Sequence, residues 1–405
     1  MNKTIKNLLN LSLVTIISLM LYSCSSDETK KNEKEEAIKV ERIAVHYVNG
    51  VSEFFNKVTK KKFIPIGYNY THLEEFTWNG VKLKGHSTFN DGNYNSETSG
   101  NVLIKLKESG YNTIRIFINP ILISDTNESL ANKYISNLSD FIKKAEKHNI
   151  YVILTTDMIA LTFYGTELKD ESDIWWWNDQ YIFDEQIKLE LKFWQLLIKE
   201  LKNNSVKLET ILAFAIRNEF FFHPDHSPFK GKSDFVKHPN NLIYDMSKED
   251  ERIALLDASF LHWSKTVRDA ILESDPEALV TVGFYAPEPL GKPSKVAIEE
   301  SELDFIDLHL YPEHASLSEY ADYFNLLANK NKLIILGEFG ILEHGEKTLE
   351  ENKDILLEWK DEALKTYGLD AYLIWTWYTD IGVSLSIPDE DNVIFNAFSP
   401  ILNQK

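Results

Sequence analysis

Glu219 ends the run Ala213-Phe214-Ala215-Ile216-Arg217-Asn218-Glu219, and Glu338 sits inside Leu333-Ile334-Ile335-Leu336-Gly337-Glu338-Phe339-Gly340. Asp307, His309 and Tyr311 interrupt a third apolar run, Arg115 stands between Ile114 and Ile116, and Trp375 and Trp377 flank Thr376. Strands buried on both faces are nearly continuous in apolar residues, so packing alone would not select these side chains. Each has an ordinary explanation by itself: a helix cap for a Glu, a salt-bridge partner for Arg115, a satisfied core histidine for His309. Together they suggest one chemistry. Two facing carboxylates beside Arg, His and Tyr can break a glycosidic bond. One stays ionised and attacks the anomeric carbon, while the other, with a raised pKa, protonates the leaving oxygen.

Such a constellation needs strands that end on a common face. Short apolar runs fall at 63–69, 112–118, 151–156, 211–217, 279–284, 305–309, 333–336 and 371–377. Amphipathic helical patterns alternate with them at 100–109, 130–148, 185–202, 248–274, 316–329 and 349–367, with weaker ones at 295–300 and 393–398. Gly110 and Gly368 stand where helices stop. Eight strand–helix pairs predict an α/β fold, a (β/α)8 TIM barrel. The alternative, an open doubly wound sheet, usually carries a Gly-rich phosphate loop, and no GxGxxG or GxxxxGK is present. Long connections follow the first, third and fourth strands, at 70–99, 158–183 and 220–247. In a barrel these gather at the C-terminal face, where active sites lie. Asn49-Gly50 marks a hairpin that can plug the bottom. Glu219 follows Ala213 and Ala215, and Glu338 follows Ile334 and Leu336. If these apolar residues face the lumen, both carboxylates stand over its mouth.

The ordered set resembles a clan A glycoside hydrolase, and within that clan glycoside hydrolase family 5, the cellulase and β-mannanase family. The likeness runs from about residue 44 to 400. Asn218-Glu219 match its strand-four Asn-Glu, Glu338 its strand-seven nucleophile, His309 and Tyr311 its strand-six His-x-Tyr, and Arg115 its strand-two Arg. Trp377 or Trp375 matches its strand-eight Trp. The resemblance implies that Glu219 is the acid/base and Glu338 the nucleophile. It further implies that Asn218 bonds the sugar 2-hydroxyl, Arg115 and Tyr311 hold Glu338 ionised, His309 lines the subsite near Glu219, and Trp377 is the stacking floor. Glu338, beside Arg115, is expected to titrate low. Two positions depart from the family: Phe220 replaces a usual Pro, and strand three ends Thr155-Thr156-Asp157 where a His is frequent. They leave the sugar open. Asp157 either meets sugar hydroxyls or caps a loop. Trp175-Trp176-Trp177 either pins the third loop or offers a stacking ring, Trp176 being the expected one.

The 405 residues carry 62 acidic and 43 basic side chains, a net charge of −19, which argues against a nucleic-acid partner. Cys24 is the single cysteine, so there is no disulfide framework. Lys3 and Lys6 precede an apolar stretch, 8–21, and Leu21-Tyr22-Ser23-Cys24 follows it, a secretory signal. It resembles a bacterial lipoprotein signal, which implies residues 1–23 as a signal peptide, lipid on Cys24 and attachment to the outer membrane. The Ser/Asp/Glu residues after Cys24 resemble the surface-export signal of Bacteroidetes lipoproteins; the periplasmic face is the alternative. Residues 24–40 read as a solvated tether and 41–405 as one catalytic domain, a monomer. No cofactor is required. His223, Asp225 and His226 have metal-like spacing, but a loop around Pro224 accounts for them, and no metal is expected. The expected activity is a retaining β-glycosidase on a β-mannan or β-glucan type chain. The alternatives are another clan A exo-β-glycosidase (galactoside, xyloside or glucuronide) and a non-catalytic carbohydrate-binding lipoprotein, which would have lost a carboxylate. A Ser or Cys hydrolase is unsupported: there is no GxSxG.

Overall fold

The computed structural model describes residues 40–402, apart from 79–80, 120–127, 158–177, 225, 231–233, 286–290, 328–331, 342–346, 370, 380–381 and 384–388. The expectations for Cys24, the signal and the tether, and for Trp176 and its neighbours, lie outside the described residues.

Strands β1 (Ile43–Val48) and β2 (Val51–Asn56) form the hairpin marked by Asn49-Gly50. Next come β3 (Ile66–Thr71), a hairpin of β4 (Leu73–Trp78) and β5 (Val81–His86), helix α1 (Ser96–Glu108), β6 (Thr113–Phe117), α2 (Glu128–Lys147) and β7 (Tyr151–Thr155). The short α3 (Asp179–Ile182), α4 (Asp184–Asn203) and β8 (Ile211–Ala215) follow. A further hairpin, β9 (Phe235–Lys237) and β10 (Ile243–Asp245), precedes α5 (Glu249–Ser274), β11 (Val280–Thr281) and β12 (Gly283–Tyr285). The chain ends through α6 (Lys295–Glu300), β13 (Ile306–His309), α7 (Leu317–Phe324), β14 (Ile334–Phe339), α8 (Leu349–Lys365), β15 (Tyr372–Tyr378), β16 (Gly382–Val383) and α9 (Val393–Phe398).

The staves pair in parallel in the order β3, β6, β7, β8, then β13, β14, β15 and back to β3. The fifth stave is shared by two segments: β11 pairs with β8, and β12 pairs with β13. The ring is therefore a closed (β/α)8 barrel. Alternation splits the core in two. Ile153, Ala213, Ala215, Phe305, Ile335 and Leu373 fill the lumen, while Val152, Leu154, Phe214, Leu336 and Ile374 face the helix layer. The β1–β2 hairpin closes the bottom, where Phe54 meets lumen-facing Phe305 edge-on at 5.1 Å.

Local chemistry sets the helix ends. Asn95 caps α1, and Ser316 and Thr348 form capping boxes with Glu319 and Glu351 on α7 and α8. The helix expected over 316–329 stops at Phe324, because Asn325 turns left-handed (φ 55°) and ends the ladder.

Candidate active site

Backbone ladders hold Glu219 past the end of β8. Asn218 N–H donates to Thr156 O (2.8 Å) on one side, and Phe220 N–H donates to Gly283 O (2.9 Å) on the other. Phe220 is buried and stacks on Trp263 at 5.2 Å, so it anchors the fourth loop as Phe222 does, while Phe221 remains exposed.

Glu338 reaches the lumen by a different route from the one its sequence parity suggested. Ile334 and Leu336 face the helices, not the lumen. The β13–β14 register then slips: Leu308 pairs with Leu336, but His309 pairs with Glu338. The extra residue is Gly337, and the bulge turns Glu338 inward. A Cβ at Gly337 would come within 1.5 Å of Asp307 Oδ1, so glycine is what lets the Asp307 carboxylate lie against the bulge.

Once inward, Glu338 is held at both oxygens. Arg115 Nη1 donates to Oε1 (2.5 Å) and Tyr311 Oη to Oε2 (2.9 Å). Arg115 is fully buried and also donates to Asn69 Oδ1 (3.1 Å) and Asn218 Oδ1 (2.8 Å), with its Nε 3.5 Å from Asp307. His309 places Nδ1 3.0 Å from Glu219 Oε1 and 3.6 Å from Glu338 Oε2, with Nε2 3.7 Å from Asp307. One carboxylate oxygen of Glu219, one of Glu338 and a ring nitrogen of His309 all lie within 4.8 Å of one another. Glu338 is 3% exposed at its side chain and Glu219 29%, so only the latter opens to solvent.

The electrostatics correct one expectation. Burial pushes Glu338 up from the ordinary carboxylate range, with help from Glu219, against the downward pull of His309, Arg115 and Tyr311. The low titration expected from Arg115 alone neglected desolvation in a dry lumen. For His309 the balance is reversed: burial would lower it, but Glu338 and Asp307 outweigh burial and Arg115 and drive it up to about 9. At neutral pH His309 is therefore an imidazolium, donating to Glu219 and facing Asp307. Burial and both glutamates hold the Tyr311 phenol well above its ordinary value, so it stays a donor to Glu338.

The two tryptophans separate. Trp375 is half-buried and meets the lumen ring Phe117 edge-on at 5.7 Å. Trp377 is 6% exposed and packs between Tyr68 and Phe395, with Lys105 over its face at 5.1 Å. It has no open face for a sugar, so the assignment of the floor to Trp377 is corrected. Sequence parity could not separate the two, because the β15–β3 register shifts between Ile374 and Trp377 and reverses the facing. The Trp375–Thr376 peptide there is cis.

Asp157 is a third exposed and pairs with His86 (Nε2–Oδ2 2.9 Å). His86 and Asn69 were not singled out from sequence, and Asp307 stood out as a polar residue but was given no role. Asn69 and Asp307 carried the available signal, a polar residue in an apolar strand; His86 lies in a loop hairpin and carried none. His223 and His226 meet at 4.3 Å, but Asn178 organises their loop, donating to His223 O (2.9 Å) and Ser227 O (2.9 Å) and accepting from His223 N–H (2.7 Å). Asp225 lies outside the described residues.

A closed barrel with paired carboxylates at the C-terminal ends of its fourth and seventh staves defines a clan A glycoside hydrolase. The family model for cellulase (glycosyl hydrolase family 5) matches residues 74–380. The chain belongs to glycosyl hydrolase family 5 and acts on O-glycosyl bonds. No curated protein matches it significantly by sequence. Among solved structures it is similar to an endo-1,4-β-mannanase from Rhizomucor miehei (17% identity, 89% of this chain, 100% of that one, TM-score 0.59). It is also similar to an endocellulase from Pyrococcus horikoshii (14%, 90% and 100%, TM-score 0.54). An exo-β-1,4-mannosidase from Opitutaceae bacterium strain TAV5 shares 15% identity over 88% of this chain at a TM-score of 0.55, and the chain spans 58% of that protein's length.

Proposed function

We propose that the chain is a retaining β-glycosidase that cleaves a β-mannan or β-glucan type poly- or oligosaccharide by double displacement. The observation that carries this reading is the close approach of Glu219 and Glu338, one carboxylate oxygen of each lying within 4.8 Å of the other. So near an approach accords with retaining enzymes, whose carboxyl groups stand about 5–5.5 Å apart, more readily than with inverting ones, which leave about 6.5–9.5 Å for a water.

In this reading Glu338 attacks the anomeric carbon as the C–O bond to the leaving group breaks. Glu219 gives its proton to the departing oxygen. Water then attacks the glycosyl–Glu338 ester, Glu219 takes its proton, and Glu338 leaves as carboxylate. Arg115 and Tyr311 align the nucleophile. Asn218 orients the 2-hydroxyl, and Trp375 carries the apolar sugar face. The substrate class is supported by the family and by structural relatives named for β-1,4-mannan and cellulose hydrolysis. A lipid on Cys24 would hold the enzyme at the outer membrane.

The test is chemical. Glu338→Ala is expected to lose turnover, and azide to restore it with a product of inverted configuration. Glu219→Ala is expected to slow poor leaving groups far more than activated aryl ones. First-formed wild-type product of inverted configuration, followed by NMR, would overturn the retaining assignment.

A further inference from the structure

The mouth holds a histidine–aspartate pair that the double displacement does not use. His86 comes from the end of β5, in the hairpin after the first stave, and Asp157 from the end of the third. His86 Nδ1 lies 2.6 Å from Thr71 Oγ1 and its Nε2 2.9 Å from Asp157 Oδ2, so the imidazole is tied at both nitrogens. Its ring stacks on Phe117 at 3.8 Å and 8°. Phe117 in turn meets Trp375 edge-on and lies under the Arg115 guanidinium at 5.1 Å. Asp157 is thus joined, through His86 and Phe117, to the ring on which the sugar would rest and to the arginine that holds Glu338. Its side chain is 34% exposed while that of His86 is only 12%, so the carboxylate is the accessible end of the pair. Burial works to raise Asp157, but His86, Arg115 and Arg217 outweigh it and hold its carboxyl below the usual range, an acceptor without a proton to give.

Resting on the β-glycosidase reading, we propose that Asp157, positioned by His86, accepts hydrogen bonds from ring hydroxyls of the glycone and restricts the enzyme to neutral sugars with those hydroxyls free. An ionised carboxylate takes O–H donors strongly and repels a uronate carboxylate, and a site built around a hydroxyl rejects the analogue that lacks it. This disfavours β-glucuronides as substrates. His86 is a positioning residue, since it presents no free nitrogen to the sugar.

The experiment uses the full chain with dinitrophenyl β-mannoside and β-glucoside, their 3-, 4- and 6-deoxy analogues, and the β-glucuronide. Wild type is expected to lose about 10- to 100-fold in kcat/KM on at least one deoxy analogue. Asp157→Ala is expected to lose a similar factor on the parent glycoside and nothing further on that same analogue. Asp157→Asn, of the same shape, guards against a folding defect and is expected to show the same non-additivity with a smaller loss. His86→Gln, which keeps a side-chain donor, is expected to retain more kcat/KM than His86→Phe, which keeps only the stack. Equal losses for Asp157→Ala and Asp157→Asn on parent and all deoxy analogues overturn the proposal, as does efficient wild-type turnover of the glucuronide. Neither result touches the glutamate assignment, which falls separately if Glu338→Ala keeps its activity.

Discussion

His309 is fully buried among three acidic groups, and its proton is worth following. With its value driven from the ordinary 6.5 up to about 9, the folded protein binds a proton there that the unfolded chain releases. The resulting stabilisation is complete below about pH 6.5, is lost as pH rises through about 9, and has a scale of about 3 kcal/mol. Glu338, also pushed up, acts in the same direction, its contribution being lost as pH rises from the ordinary carboxylate range through its raised value. Thermal stability is expected to fall between pH 7 and 9.5, alongside an alkaline limb in kcat/KM near pH 9. His309→Gln is expected to flatten the stability profile, and a wild-type profile flat across that range would contradict the charge assignment. The tryptophans allow a second comparison. Trp375→Ala is expected to weaken kcat/KM by about 1–3 kcal/mol, the scale of aromatic stacking, at nearly unchanged stability. Trp377→Ala is expected to cost about 3–5 kcal/mol of stability by emptying a core site. Urea unfolding and steady-state kinetics on both variants separate the roles, and the reverse pattern would return the floor to Trp377.

At the scale of elements, the seventh stave carries the most information per residue. Asn69 Nδ2 donates to Gly337 O (2.9 Å) while its Oδ1 accepts from Arg115, so the first stave pins the bulge that turns Glu338 inward. Gly337→Ala is expected to abolish turnover and to destabilise the fold by several kcal/mol, because its methyl must displace the Asp307 carboxylate from a buried charge network. Circular dichroism melts and turnover measurements check this, and a variant with wild-type activity would show that the bulge tolerates a side chain. This element also explains how far the sequence could be read. Apolar runs and helix stops made the eight staves legible, since strands such as Tyr151–Thr155 are buried on both faces and carry no ambiguity of period. The residue types at the site were legible too, because Arg115, Asp307 and His309 are costly inside apolar runs. Facing was not. Alternation predicts direction only along an unbroken ladder, and register shifts interrupt it at Gly337 and again between Ile374 and Trp377. The contribution of His86 was hidden for another reason: it depends on where a hairpin folds back.

At the scale of the whole molecule, net charge and location belong to one argument. The chain carries −19 at neutral pH, so it is repelled by anionic lipid headgroups and gains little from electrostatic adsorption. No helix among the described residues is long and apolar enough to cross a membrane. Stable attachment would then come from acyl chains at Cys24, each buried methylene contributing about 0.8 kcal/mol, and more than one chain is needed for durable anchoring. Three outcomes follow, measured by fractionating cells that express the full chain. High salt is expected to leave the wild type on membranes, because screening removes charge attraction but not acyl burial. Detergent is expected to release it. Cys24→Ala is expected to appear in the soluble fraction with kcat/KM unchanged. A Cys24→Ala protein that fractionates with membranes as the wild type does, or a wild type released by salt alone, would overturn the lipid anchor and leave the glycosidase reading intact.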